Sequence, residues 1–204
     1  MTIKLSFLGF ASALLFLSSC ASQYRSINPE SLQYTAKSSN DGIDLGYRYA
    51  VLQDKDNKKY AKKEVKTGIK VVALNITNHS DRDLVFGKNM RLFSGDTEVP
   101  IVEHDIVARK LRQNAPAYLA YLLLCFVNVY VDNGFERKTY PVGLVLGPAI
   151  TIGNAATASS SNKRFYQELA RNNLLNKTIK PGETMSGLVG VRISGFNPLS
   201  LRVN

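Results

Sequence analysis

The sequence predicts a mainly β protein with an α insertion: an antiparallel β-sandwich that is interrupted by an apolar helical segment. Residues 43–51 alternate between apolar and polar or small side chains, which is the period of a half-buried strand. Residues 71–77 repeat that period, and the turn pair Pro181-Gly182 precedes another alternating stretch. Residues 117–131, in contrast, form an almost continuous apolar run.

The first nineteen residues have the three parts of an export signal. Lys4 supplies a positive start, residues 7–17 are almost wholly apolar, and two small residues follow. The apolar stretch is shorter than the roughly 20 residues that a membrane-spanning helix needs. We therefore predict a signal peptide over residues 1–19.

The segment Leu17-Ser18-Ser19-Cys20 has a large aliphatic residue, two small residues and a cysteine. It resembles the lipobox of bacterial lipoproteins. The resemblance implies that the Cys20 thiol receives a diacylglycerol, that the signal is cut before Cys20, and that the new amino group is acylated. An ordinary signal peptide that happens to contain a cysteine is the alternative. Two or three acyl chains anchor a protein far more firmly than one.

The residues after the cysteine bear on location. Ala21 and Ser22 follow Cys20, and no Asp stands beside it. The resemblance to lipoproteins of double-membrane bacteria then implies the outer membrane, with the protein facing the periplasm. Residues 20–40 are rich in Ser, Gln and Asn, which is typical of a tether between a lipid and a folded domain; local docking of Tyr24, Ile27, Leu32 and Tyr34 is left open. We predict that domain over residues 41–204.

The charge balance favours anionic partners. The chain carries 26 Lys and Arg against 16 Asp and Glu, a net charge of +10, and loss of Lys4 with the signal leaves +9. The predicted partners are the membrane, through the lipid, and another envelope protein or an anionic polymer. Nucleic acid is excluded by the predicted location.

Six lysines concentrate this charge: Lys58, Lys59, Lys62, Lys63, Lys66 and Lys70, with Glu64 the only acid among them. One interpretation is a contact surface for anionic lipids or polymers. The other is a solvated hairpin whose lysines protect a sheet edge from pairing with other chains. The sequence favours the hairpin.

Further strands are predicted at residues 91–94, 98–102, 185–193 and 199–203, separated by turn residues. The pattern from Val71 to Val102, with Pro181-Gly182 before the last long strand, resembles the immunoglobulin-like domains of bacterial envelope lipoproteins. The resemblance covers roughly half the mature chain and implies no catalytic motif.

An apolar helical insertion is predicted at about residues 115–178. Residues 162–175 have helical spacing, with Asn162 as a candidate N-cap. The candidate membrane or partner contacts within the insertion are Tyr118, Tyr121, Leu122, Leu123, Phe126, Gly143 and Gly147; the two glycines form a small-xxx-small pair. Burial of the apolar run against the sandwich is the favoured interpretation. An interface with lipid or protein, and true insertion into the bilayer, remain open.

No arrangement typical of an enzyme is found. His79 and His104 have acidic or hydroxyl neighbours in sequence, but residues adjacent along a strand or turn do not face each other as a catalytic triad requires. We predict no cofactor and no metal, and a buried, inert thiol at Cys125. The predicted function is a lipid-anchored, non-catalytic interaction module. A lipid-binding or membrane-remodelling protein that uses residues 115–158 is the alternative, and an enzyme of unrecognised type is a third, less favoured class.

Overall fold

The computed structural model describes residues 20–132 and 134–203. The predicted signal peptide, Asn133 and Asn204 lie outside the described residues. The chain forms two compact units. Within the described residues, unit 1 comprises residues 20–23 and 113–161, and unit 2 comprises residues 24–112 and 162–203.

The strands, in chain order, are β1 (Ala36–Asn40), β2 (Ile43–Arg48), β3 (Ile69–Asn78), β4 (Leu84–Val85), β5 (Met90–Ser94), β6 (Thr97–Glu98), β7 (Ile101–Val102), β8 (Val129–Asp132), β9 (Arg137–Tyr140), β10 (Thr178–Ile179), β11 (Thr184–Arg192) and β12 (Ser200–Val203). The α-helices are α1 (Val51–Asp54), α2 (Lys58–Thr67), α3 (His104–Leu111) and α4 (Gly143–Arg171). Two 3₁₀ helices cover Pro29–Ser31 and Ala115–Phe126.

Unit 2 is built on an antiparallel five-stranded sheet in the order β1-β2-β3-β11-β7. Two smaller antiparallel sheets, β12-β5-β6 and β10-β4, belong to the same unit. The prediction of a β-rich, antiparallel fold is confirmed. The residues of β2 and β3 that were predicted to face the core do so: Ile43, Leu45, Leu74 and Ile76 are buried between these sheets.

The core of unit 2 draws residues from both kinds of sheet. Val189 and Val191 of β11 belong to the same cluster as Leu92 of β5 and Leu201 of β12. Buried apolar side chains therefore join the large sheet to the smaller ones, and this burial is the main source of stability for such a layer arrangement.

The opposite face of the large sheet is covered by helices. Val71 and Ala73 of β3 pack in a second cluster with Tyr60 of α2, Val107 of α3 and Phe165 of α4. Both faces of β3 are thus buried, which explains why Val71-Val72-Ala73-Leu74 is apolar without interruption. An alternating sequence pattern predicts burial of one face of a strand and does not identify the second buried face of β3.

The predicted turn at Gly95-Asp96 lies in the hairpin that joins β5 to β6, and Pro181-Gly182 precedes β11. The single strand predicted over residues 98–102 is instead divided between β6 and β7. Pro100 separates them because proline has no N–H for a sheet ladder.

The prediction of a tether over residues 20–40 is wrong from Tyr24 onward. Tyr24 and Ile27 are buried in unit 2, at 6% and 0% exposure. Residues 36–40 form β1 and pair along their whole length with β2. The composition is polar because alternate residues face solvent, while a few apolar side chains hold the segment to the domain.

The prediction of a lysine-rich hairpin is also wrong. Residues 58–67 form helix α2, because Tyr60 and Ala61 face the core and Glu64 follows one turn later on the same side. Gly68 ends the helix with a left-handed φ of 68°, and its N–H donates to the Glu64 carbonyl over 2.9 Å.

The predicted helix start at Asn162 is wrong as well. Asn162 lies inside α4, which begins at Gly143. The apolar residues that suggested a separate segment occupy only the first turns of α4, and residues 151–162 are mostly Thr, Asn, Ala and Ser. The helix is therefore not apolar as a whole.

Candidate functional site

The chain that follows the predicted lipidation cysteine is fastened to unit 1. Cys20 is exposed. The N–H of Ala21 donates to Asn154 Oδ1 over 2.6 Å, and Asn154 Nδ2 donates to the Ile150 carbonyl in α4 over 2.9 Å. The second bond orients the amide, so its oxygen is held towards Ala21. Cys20 is therefore joined directly to a fixed peptide group.

Ser22 extends this attachment. Its N–H donates to Gln113 Oε1 over 3.1 Å, and Gln113 Nε2 donates to the Ser22 carbonyl over 2.7 Å. Ser161 Oγ donates to the same carbonyl over 3.1 Å. Gln113 is only 4% exposed, so water competes only weakly for its hydrogen bonds to Ser22. Residues 21–22 are a docked strap, and Cys20, the predicted lipidation residue, belongs to unit 1.

Unit 1 has a small core. Tyr118, Tyr121 and Ala158 are buried, with Ala21 and Leu124 packed against them. The two tyrosine rings are stacked, with centroids 6.2 Å apart and an interplanar angle of 5°. Burial, followed by the proximity of Tyr121 and Cys20, raises the pKa of Tyr118 above its ordinary value.

Gly143 and Gly147 allow α4 to approach the 3₁₀ helix closely. A Cβ at Gly143 would overlap the Leu124 carbonyl oxygen, and a Cβ at Gly147 would come within 2.7 Å of Cys125 Sγ. The small-xxx-small pair therefore serves a contact inside unit 1. Cys125, which was predicted to be buried, is half-buried beside this contact.

The favoured prediction that residues 117–131 hide their apolar surface is wrong. A 3₁₀ helix has three residues per turn, so Tyr118, Tyr121 and Leu124 line one face and reach the core of unit 1. The remaining apolar residues point outwards: Leu123 is 70% exposed and Phe126 is 80% exposed.

Unit 1 has further exposed apolar side chains outside the 3₁₀ helix. We call the whole set the apolar surface of unit 1, and it comprises Leu119, Leu122, Leu123, Phe126, Val127, Val129, Tyr130, Phe135, Tyr140, Leu144, Val145, Leu146 and Ile152. Scattered exposed apolar residues are ordinary, but so many in one small unit are typical of a protein or membrane contact. Of the predicted contact residues, Leu122, Leu123 and Phe126 belong to it, whereas Tyr118, Tyr121, Gly143 and Gly147 lie inside the unit.

The hairpin β8–β9 adds basic groups to unit 1. The Arg137 guanidinium lies over the Tyr130 ring at 4.6 Å, and Lys138 Nζ is 3.5 Å from Glu136 Oε2. Aromatic and basic side chains together are typical of a membrane interface, where rings sit at headgroup depth and cations meet phosphates.

Across residues 20–132 and 134–203, no helix is both long enough and apolar enough to cross a bilayer.

The six predicted lysines lie in unit 2. Lys58, Lys62 and Lys66 are exposed at four-residue spacing and form one stripe along α2, whereas Lys59 and Lys63 are half-buried. Lys70 lies on β3, with its Nζ 3.9 Å from the centre of the Phe196 ring. The structure brings three of the six lysines onto one outward face.

Glu64 lies on the inner side of the same helix. Its Oε1 accepts a hydrogen bond from the Val71 N–H over 2.6 Å. Burial raises the pKa of Glu64 to about 7, although that hydrogen bond and nearby Lys70 act in the opposite direction.

The two histidines occupy separate positions in unit 2. His79 Nε2 is 3.0 Å from Asp44 Oδ2 at an exposed site, and the His104 ring lies 5.9 Å from the Tyr166 ring. Within the described part of the chain, no three His, Cys, Asp or Glu side chains are placed to hold a metal ion.

A feature that the sequence interpretation missed is a polar cleft of about 600 Å³ in unit 2. Its walls are residues 24–30 and the end of α4. Glu168 is only 8% exposed, and its Oε1 accepts hydrogen bonds from Ser26 Oγ (2.5 Å), Ile27 N–H (2.8 Å) and Asn28 N–H (3.1 Å). Burial, followed by the Glu168 charge, raises the pKa of Tyr24. A signal was present, because Glu168 stands between Phe165 and Leu169 on the inner side of a helix.

No protein-family model, curated protein or solved structure matches this chain.

Proposed function

We propose that this protein is a lipid-anchored, non-catalytic bacterial envelope lipoprotein whose unit 1 lies in the surface of the membrane that carries its anchor. In this proposal residues 1–19 are removed and Cys20 bears the acyl chains, most simply at the periplasmic face of the outer membrane. The apolar surface of unit 1 enters the headgroup region.

The hydrogen bond between Ala21 and Asn154 is the observation that carries this proposal. Because the Ala21 amide is held, Cys20 has the slack of a single residue, at most about 3.6 Å. Acyl chains in the bilayer would therefore draw unit 1 to the membrane surface. A long flexible tether would allow unit 1 to stay clear of the lipid. Residues 21–22 are bound to unit 1 and give Cys20 no such tether.

The chemistry of the surface supports the same conclusion. Full burial of one Leu or Phe side chain is favourable by about 1.5–3 kcal/mol, so partial burial of several of them adds substantially to the hold of the acyl chains. Interfacial binding requires no membrane-crossing helix, because the chain lies in the plane of the headgroups.

Vesicle binding of unlipidated protein tests the proposal. Mature protein with Cys20→Ser should sediment with lipid vesicles, and the combined variant L122S/L123S/F126S should lose most of that binding. Val65→Ser is the matched control, because Val65 is 89% exposed but lies in unit 2. Equal binding by the triple variant and the control would contradict the proposal.

A second candidate function is the interaction module predicted from the sequence. The specific observation in its favour is the outward stripe of Lys58, Lys62 and Lys66 on α2, which suits an anionic polymer or an acidic envelope protein. The two functions are compatible, since the stripe and the apolar surface belong to different units. Binding of unlipidated protein to a soluble polyanion would support this second function.

We further propose that unit 2 is an immunoglobulin-like β-sandwich with helices added outside its large sheet. Three features support this: the named strands of unit 2 that the structure describes pair in antiparallel fashion, β3 pairs with the distant β11, and one apolar cluster links the large sheet to the smaller ones. An experimental structure in which the sheets share no core would contradict it.

A further inference from the structure

We propose that unit 1 enters the membrane at two depths: the start of α4 and the end of the 3₁₀ helix reach the acyl chains, whereas the hairpin β8–β9 stays among the lipid headgroups. The partner of this surface is thus the headgroups and upper acyl chains of one phospholipid leaflet. The two depths rest on the function proposed above, and they specify which segments of unit 1 meet acyl chains and which meet phosphates.

The charged side chains of unit 1 that the structure describes all belong to the hairpin β8–β9. They are Asp132, Glu136, Arg137 and Lys138. Residues 113–131 and 139–161 contain no Asp, Glu, Lys, Arg or His, although 21% of the whole chain is charged. A surface that faces water normally has charges of both signs throughout. Unit 1 therefore combines a long charge-free part, which has exposed Leu and Val side chains, with one charged hairpin.

The base of the hairpin is fixed to the charge-free part. At the start of α4 the Gly143 N–H donates to the Val127 carbonyl over 2.9 Å, directly after the 3₁₀ helix. Residues 144–146 on the α4 side and Phe126 on the 3₁₀ side are exposed next to this bond. Both segments are therefore held at one junction, and each carries exposed apolar side chains there.

The charges lie at the other end of the hairpin. β8 and β9 pair from Val129 and Tyr140 at the base to Asp132 and Arg137 near the turn. Three residue steps along a strand cover about 10 Å, so the ionic groups are about that far from the junction. An interfacial apolar face is buried by about 5–10 Å. The junction can therefore contact acyl chains while the charges remain among headgroups.

Phe135 is exposed at the turn of the hairpin, but its neighbours keep it out of the acyl region. Asp132 precedes it at the end of β8, and Glu136 and Arg137 follow it. Insertion of Phe135 among acyl chains would carry these charges with it, which is costly. The Arg137 guanidinium also lies over the Tyr130 ring at 4.6 Å, and aromatic and cationic groups together suit the depth of lipid phosphates.

Tryptophan reporters measure the two depths, because the chain itself contains no tryptophan. Val145→Trp places the reporter at the start of α4 and Phe135→Trp places it at the turn of the hairpin; both positions are exposed. The full lipidated protein is incorporated into phosphatidylcholine vesicles, and quenching by phosphatidylcholine with brominated acyl chains is measured. Val145→Trp should be quenched at least about twofold more strongly than Phe135→Trp. Equal quenching, or stronger quenching of Phe135→Trp, overturns the inference.

A matched pair of lysine variants gives a second readout. Val145→Lys and Phe135→Lys each replace one exposed apolar side chain by a positive charge, so neither should alter the folded unit. In unlipidated protein with Cys20→Ser, Val145→Lys should weaken binding to phosphatidylcholine vesicles by about tenfold or more, because a charge among acyl chains is costly. Phe135→Lys should weaken it by less than about threefold, because the lysine lies among phosphates.

The outcomes separate the two depths from the function on which they rest. If L122S/L123S/F126S loses vesicle binding and the two lysine variants bind equally, the function stands and the two depths are overturned. If unlipidated protein binds no vesicles, both are overturned. A greater loss with Phe135→Lys than with Val145→Lys also overturns the inference, because the hairpin would then be the deeper segment.

Discussion

The N–H of Ala21 donates a hydrogen bond to Asn154 Oδ1 over 2.6 Å, and this contact joins residues 133 positions apart in the chain. It fixes the residue next to the predicted lipidation cysteine to the middle of α4. The position of Cys20 in unit 1 is therefore determined by a folded contact.

The first prediction concerns Cys20. The mature N-terminal peptide should begin at Cys20 and carry acyl chains, and Cys20→Ala should leave the protein unprocessed or without lipid. Mass spectrometry of the protein from the bacterial envelope measures both. Recovery of a mature chain that begins elsewhere, with an unmodified Cys20, would contradict the anchor.

The second prediction separates the outside of unit 1 from its inside. Leu123→Asp should change the free energy of unfolding by less than about 0.5 kcal/mol, because Leu123 is 70% exposed. Tyr121→Asp should lower it by several kcal/mol, because Tyr121 is only 5% exposed and a buried charge is costly. Urea denaturation of unlipidated protein compares them. Equal destabilisation would mean that Leu123 is buried.

The third prediction concerns the close approach of α4 to the 3₁₀ helix. Gly143→Ala should destabilise unit 1 by about 1–3 kcal/mol, because the new Cβ would meet the Leu124 carbonyl. Gly153→Ala, in the same helix with open space around it, should stabilise α4 by about 1 kcal/mol. Amide hydrogen exchange in residues 113–161 measures the difference, and loss of protection in both variants would refute the assignment.

The fourth prediction is a pH dependence that arises from Glu64. Its pKa in the folded protein is about 7, above the ordinary 4.5, because the buried site favours the neutral carboxyl. The stability that comes from this protonated form is complete below about pH 4.5 and is lost as the pH rises through 7. Glu64→Gln keeps an acceptor for the Val71 N–H and has no charge to bury. It should raise the free energy of unfolding above pH 7 by up to about 3 kcal/mol and leave it unchanged below pH 4.

Thermal unfolding of the wild type and Glu64→Gln between pH 4 and pH 8 measures this effect. Glu103→Gln removes the same charge at an exposed position and should show no such trend. A constant difference between wild type and Glu64→Gln at every pH would contradict the assigned pKa.

The fifth prediction concerns the lysine stripe on α2. Replacement of Lys58, Lys62 and Lys66 by Gln should reduce binding of unlipidated protein to anionic vesicles, and the reduction should fade as salt rises. At physiological ionic strength the screening length is about 8 Å, so exposed charges act weakly over longer distances. Co-sedimentation at low and high salt measures this. If the triple variant binds as the unaltered protein does at low salt, the stripe only aids solubility.

The sequence by itself determined the local features that depend on near neighbours in the chain, namely strand alternation and turns. Alternation in residues 43–47 and 71–77 identified the core faces of β2 and β3, and Gly95-Asp96 and Pro181-Gly182 identified turns, because strand period and turn chemistry act between near neighbours. The lysine segment was misassigned, since a helix in which only Tyr60 and Ala61 are buried has too short an apolar pattern to distinguish it from a polar loop.

Only the tertiary structure decided which apolar residues of unit 1 face outwards and which distant residues meet. The 3₁₀ geometry of residues 115–126 buries every third side chain, and sequence alone did not reveal that three-residue period. The bonds from Ala21 to Asn154 and from Glu168 to residues 26–28 each span more than 130 positions. Such contacts depend on how the whole chain packs. The local pattern marks Glu168 as a polar residue on the inner side of a helix, but it does not identify the distant residues that Glu168 or Ala21 contacts.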